Sequence, residues 1–167
     1  MNIKRNFTNT SDRILLQILN SNKPNAIAKI TGNPNNPQLH GMVQFYNTPV
    51  DGILVKAEIF GLPNAFKLYS SNFYGFHIHE TGNCEINFQK TGNHYNPSKT
   101  LHPNHSGDLP PLLGNQGFAY SIFYTRRFTI DEIINKSILI HDMPDDFTSQ
   151  PAGNAGTKIG CGIIEIP

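Results

Sequence analysis

GILVKAEIFGL, residues 52–62, alternates apolar and polar side chains and is bounded by turn residues. A period of two places Ile53, Val55, Ala57 and Ile59 on one face of a strand and Lys56 and Glu58 on the other. The same alternation occurs before it in NAIAKIT (25–31) and GMVQFYN (41–47). It returns after it in FYGFHIHE (73–80), GFAYSIFYT (117–125), KSILIHD (136–142) and KIGCGIIEI (158–166). The 14 Gly and 12 Pro punctuate these segments. Seven or eight short strands without intervening amphipathic helices predict an all-β sandwich or barrel. Only the N-terminal segment and FTIDEIIN (128–135) hint at helix.

The 167 residues suit one domain able to bury a core of its own. Thirteen Lys and Arg against 12 Asp and Glu give a net charge of +1, without a basic run. That balance argues against nucleic-acid or anionic-membrane partners held by bulk electrostatics. No apolar stretch approaches the roughly 18 residues of a membrane span. Residues 1–24 read as an N-terminal extension to a domain at 25–167. Its apolar run, 14–19, is interrupted by Gln17, too short and too polar for a secretory signal. The expectation is a short amphipathic strand or helix that packs on the domain or stays mobile, in a cytoplasmic protein.

Two stretches break the strand rhythm, from Thr81 to about Asn115 and from Asp142 to Thr157. Loops of this length are usually functional or disordered. Here the first carries most of the histidines, and six of the chain's seven lie between His77 and His141. In His77-Ile78-His79, positions i and i+2 of a strand project both imidazoles from one face while Ile78 points into the core. His94 follows, and the run His102-x-x-His105-x-x-Asp108 puts two imidazoles and a carboxylate within seven residues. With His94 as a fourth donor, that set suits tetrahedral zinc. His141 ends a strand and adds an imidazole to the His77/His79 centre, where all-imidazole coordination favours copper or zinc over magnesium or calcium. His40 is left as a surface or strand-edge residue. Cys84 and Cys161 sit in no CxxC pair, so two buried thiols and a long-loop disulfide both remain open.

The segments GFHIHETGNC (75–84), GNHYNP…HPNHSGDLP (92–110), SILIHDMPDD (137–146) and AGNAGTKIGCGIIEI (152–166) together resemble the copper/zinc superoxide dismutase family. The resemblance extends, more weakly, over residues 25–167. It implies an eight-stranded Greek-key β-barrel, a flattened sandwich with two long functional loops. It implies copper ligands His77, His79, His94 and His141, and zinc ligands His94, His102, His105 and Asp108, so that His94 bridges both metals. Asp145 matches the carboxylate that links one ligand histidine of each metal, and Cys84 and Cys161 match the family's disulfide. The activity implied is ping-pong disproportionation of superoxide to oxygen and hydrogen peroxide at copper, with zinc structural and His94 carrying a proton. A homodimer is implied as well, with delivery of copper by a chaperone left open. A non-catalytic family member that buffers metal or captures a copper chaperone is the alternative, and a zinc-only structural domain a third reading.

The chain departs from the family pattern at Lys158, where the family almost always has an arginine that docks the anion. Lysine keeps the charge for steering but lacks the planar fork of donors. Only Pro103 and Asn104 separate His102 from His105, and the 142–157 loop lacks the usual Glu- and Lys-rich insert. The cysteine placement and the SQPAGNAG segment look more like bacterial members. The wealth of Asn and Ile is compatible with an AT-rich genome such as that of a large DNA virus, which would place the protein in virion or host cytoplasm.

Overall fold

The computed structural model describes residues 10–21, 23–63, 72–85 and 87–167. Helix α1 (Thr10–Ser21) comes first, followed by strands β1 (Ala26–Gly32), β2 (His40–Asn47) and β3 (Ile53–Phe60). Then come β4 (Phe73–Tyr74), β5 (Phe76–His79), β6 (Leu112–Leu113), β7 (Phe118–Thr125), helix α2 (Ile130–Ile133), β8 (Ser137–His141) and β9 (Lys158–Glu165). Every strand expected from alternation is present. The first nine residues of the proposed extension lie outside the described ones, and the amphipathic segment after them is α1 rather than a strand.

Seven strands form one antiparallel sheet in the order β5-β8-β9-β1-β2-β3-β7, which curls around the main core, with a small second apolar cluster of Phe88, Leu139 and Cys161 outside it. β4 and β6 form a separate two-residue ladder. The eight strands expected are therefore seven long ones and two stubs, because Pro110 and Pro111 just before β6 supply no N–H to extend its ladder.

Alternation places the core. Ala26, Ala28 and Ile30 of β1, Val43 and Phe45 of β2, and Val55, Ala57 and Ile59 of β3 are all fully buried. Each large apolar side chain so buried contributes about 1.5–3 kcal/mol. Phe45 meets Phe128 edge to face at 6.4 Å, so the segment leading into α2 closes the core. The Glu132 carboxylate accepts the Thr129 N–H at 2.7 Å and thereby starts that short helix. On the opposite flank, Ile14, Leu15 and Ile18 of α1 line an apolar cavity with Val50, Leu54 and Ile122, so the helix lies against the β3/β7 side. Among the described residues no helix is long and apolar enough to cross a membrane.

β5 and β8 break the half-buried pattern, with every residue of both strands buried. One face of each feeds the core. The other is covered by the two long loops, and the histidines lie there.

Candidate metal centre

Phe76 and Ile78 point into the core, and His77 and His79 point the other way, at 0% and 2% exposure. Their face is buried because the 81–115 loop is hydrogen-bonded to β5. Ile78 N–H donates to Gly107 O at 2.9 Å, and Ile78 O accepts from Tyr95 N–H at 2.8 Å. These bonds set His94 opposite His79 and Asp108 opposite His77. A Cβ on Gly107 would fall on the Ile78 carbonyl, so only glycine allows so close an approach. His141 enters at a register shift at the end of β8, its N–H donating to Gly75 O at 2.8 Å.

Two donor groups result, His77, His79, His94 and His141 on one side and His94, His102, His105 and Asp108 on the other. Within each group the ligand atoms lie within 4.8 Å of one another. Hydrogen bonds assign one nitrogen of the His77, His79, His94, His102 and His141 rings and leave the other pointing inward. In the first group His77 Nε2 meets Asp145 Oδ2 at 2.8 Å and His79 Nδ1 donates to Gly92 O at 2.9 Å. His141 Nδ1 faces Gly156 O at a longer 3.4 Å. That leaves His77 Nδ1, His79 Nε2, His94 Nε2 and His141 Nε2 buried without a partner. In the second group His94 Nδ1 lies 2.7 Å from Asp108 Oδ1, while His102 Nδ1 and His105 Nδ1 approach Asp108 Oδ2 at 3.1 and 3.3 Å. The last two contacts are too poorly aligned to be hydrogen bonds, so those nitrogens are orphaned too. Buried polar atoms rarely go unpaired. Six orphaned imidazole nitrogens converging on two points fit cations, with His94 shared between them.

Electrostatics favour the same use. Burial pushes the His77, His79 and His105 imidazoles below their usual range and the His141 ring down to about 3. The rings are therefore neutral at neutral pH, the state in which imidazole binds metal. Burial alone would raise the Asp108 and Asp145 carboxyls, but it is outweighed. A hydrogen bond with His94 lowers Asp108, and bonds from His77, the Phe147 N–H and His102 hold Asp145 down at about 2.

Asp145 comes from the 142–157 loop, and Gly153 allows it to fit. That glycine has φ +66°, and a Cβ there would fall on the Asp145 carboxylate, 2.7 Å from His102 Nε2. Two residues that the sequence does not single out fix the tight turn between His102 and His105. Gln150 brackets the His102 backbone, donating from Nε2 to its carbonyl at 2.8 Å and accepting its N–H at 3.1 Å. Arg127 Nη1 donates to Pro103 O at 3.0 Å and His105 O at 2.8 Å. The only sequence signals were a glutamine and an arginine near loops, neither specific. His40 lies at the exposed start of β2, stacked on Phe60 at 5.4 Å.

A cleft of about 640 Å³ opens over the first group, lined by His79, His94, His141 and Lys158, with Lys99 and Gln150 among its other walls. Lys158 is half-buried, and desolvation lowers its ammonium pKa. Its Nζ donates to Thr91 Oγ1 at 2.8 Å, with Gly92 O and Phe88 O at 3.4 and 3.5 Å. Cys84 and Cys161 are disulfide-bonded, joining the first loop to β9.

A curled antiparallel sheet with two histidine-rich groups sharing one imidazole defines a β-barrel protein built for a pair of metal ions. The family model for copper/zinc superoxide dismutase (SODC) matches residues 39–164, and the chain belongs to that family. It is 33% identical to copper–zinc superoxide dismutase 3 of Arabidopsis thaliana, over 84% of this chain and 90% of that protein. It is 32% identical to the extracellular copper–zinc enzyme of Drosophila melanogaster, over 84% of each. Copper–zinc superoxide dismutase 1 of Aquifex aeolicus is 34% identical over 68% of this chain and 73% of its own length. The crystal structure of the clock protein EA4 superposes with a TM-score of 0.72 at 25% identity, covering 87% of this chain and 96% of that one.

Proposed function

We propose that this chain is a superoxide dismutase in which His77, His79, His94 and His141 hold copper while His94, His102, His105 and Asp108 hold zinc. The observation that carries the reading is the set of six buried, unpartnered imidazole nitrogens grouped on two centres with His94 common to both. An all-imidazole set suits copper, and three imidazoles with one carboxylate suit zinc. Copper, when bound, supplies one-electron chemistry that takes an electron from one superoxide, released as oxygen, and returns it to a second, released with two protons as hydrogen peroxide.

The chain's own residues supply the rest. Asp145 fixes the tautomers of His77 and His102 through Nε2, so their unpartnered Nδ1 lone pairs would be the ones to hold the metals. His94 Nε2 lies among the first donor group, and it is the atom that would take up and deliver a proton, while Nδ1 stays on the side of the second group beside Asp108, where zinc would be held. Lys158 supplies the positive charge that draws the anion to the cleft wall. In a chain of net charge +1, steering depends on such local charge.

Copper electron spin resonance on the metal-loaded protein, together with superoxide consumption, tests the function. Consumption that follows copper occupancy supports it, whereas a protein that takes copper and leaves superoxide untouched is a metal buffer. Retention of every donor in both groups favours catalysis. Ile166, exposed beyond β9, and the half-buried Ile163 support assembly into a homodimer, which sedimentation tests as twice the chain mass.

A further inference from the structure

Lysine in the anion-docking position has a weakness that the structure addresses with a second residue. A lysine ammonium sits on a flexible four-carbon stem, and without a fixed partner it spreads over many rotamers. Here its shortest contact is to a hydroxyl, Thr91 Oγ1 at 2.8 Å, with the two carbonyls further away. Thr91 is fully buried. Its own hydroxyl proton is committed to Phe88 O at 2.8 Å, so it is a lone pair that faces the ammonium.

The turn carrying Thr91 is itself held. It is a short 3₁₀ helix, Gln89–Thr91, between Phe88 at φ 66° and Gly92 at φ 74°. Phe88 packs with Leu139, Cys161 and Cys84, and the Cys84–Cys161 bond ties this segment to β9 three residues beyond Lys158. β9 therefore grips the loop covalently at Cys161 and by a charge-assisted hydrogen bond at Lys158. The next carbonyl, Gly92 O, is 2.9 Å from His79 Nδ1 and 3.4 Å from Lys158 Nζ, so one peptide orients both a proposed copper ligand and the docking cation.

We propose that Thr91 is a positioning residue for substrate capture, its hydroxyl holding the Lys158 ammonium on the cleft wall beside His79 and His141 so that the positive charge stands in one fixed place for the incoming anion. This deepens the reading of Lys158 as the anion-docking group and rests on it. Thr91 thus restores the fixed direction that a guanidinium fork would supply by itself.

The test uses the copper- and zinc-loaded full chain, with azide as the anion probe followed through the copper(II) visible absorption, and kcat/KM for superoxide alongside. Thr91→Val should weaken azide binding and lower kcat/KM by roughly two- to ten-fold, the effect of one lost positioning hydrogen bond. Thr91→Ser should restore both. In a Lys158→Met background, Thr91→Val should have no further effect. Wild-type azide affinity and rate in Thr91→Val would overturn the proposal while leaving the role of Lys158 intact. So would an equal loss in the Lys158→Met background, which would make Thr91 a support of the fold. Lys158→Met that binds azide and turns over like wild type would overturn the parent reading and this one with it. Should Thr91→Val not fold, Thr91→Ala carries the same comparison.

Discussion

The Asp145 carboxylate stands between His77 and His102, with Oδ2 2.8 Å from Nε2 of the first and Oδ1 2.9 Å from Nε2 of the second. It thus joins the two donor groups from behind, through the only ring nitrogens in His77 and His102 that do not face a metal position.

Replacing that carboxylate tests whether the tautomers matter. An amide in its place would present one oxygen and one NH2, so one imidazole must flip its proton to the nitrogen that should bind metal. Asp145→Asn is expected to weaken at least one of the two metals by about 10–100-fold with little change in fold. Competition with a chromophoric chelator measures each affinity. Wild-type affinity for both metals would remove Asp145 from this role.

Gln150 makes a different claim, because it touches no metal position. It brackets the backbone of His102 across 48 residues of sequence. Gln150→Leu removes two hydrogen bonds worth about 0.5–1.5 kcal/mol each. The expected result is zinc affinity lowered by about ten-fold with copper affinity near wild type. Loss of both metals in equal measure would mean that the loop as a whole had collapsed.

Lys158 is tested by charge and by shape. Lys158→Met removes the local positive charge, and kcat/KM should fall by about ten-fold or more, with a flatter dependence on ionic strength. Lys158→Arg keeps the charge and adds a planar donor fork, so kcat/KM should rise. Stopped-flow superoxide decay across a salt series measures both. Unchanged turnover in the two variants would exclude steering from this position.

Strand positions were legible in the sequence because they follow a period of two. Ile53, Val55, Ala57 and Ile59 alternate in the chain and line the core in the fold. His77 and His79 were placed on one face by the same rule, and the run from His102 to Asp108 is close enough in sequence to read as one group. Position along a strand, however, does not tell what covers its far face. The outer side of β5 is dry only because Tyr95 and Gly107 hydrogen-bond to Ile78, contacts that no local pattern encodes. Gln150, Arg127 and Thr91 stayed hidden for the same reason. Each acts through a hydrogen bond to a residue at least 22 positions away, and each is an ordinary polar residue without its partner.

Removing the metals should expose the cost of burying so many neutral imidazoles. Burial sets the folded pKa values of His77, His79, His105 and His141 below the unfolded value near 6.5, His141 at about 3. Between folded and unfolded values the unfolded chain binds more protons, so stability is full above about pH 6.5 and falls as pH drops toward the folded values. For His141 the loss at pH 5 is about 2 kcal/mol, from one and a half units at about 1.4 kcal/mol each. Asp145, held down at about 2, acts in the same direction at lower pH, and its contribution disappears as pH falls from about 3.9 toward 2. Urea unfolding of the metal-stripped, disulfide-intact protein should therefore be flat above pH 7 and lose stability steeply between pH 6 and 4. His141→Gln should reduce that slope. With both metals bound the neutral rings are held by coordination, so the loss should begin at lower pH. An apo protein equally stable at pH 7.5 and 5 would mean that the imidazoles accept protons without leaving their places, and that the two donor groups are open to water rather than sealed beneath the loops.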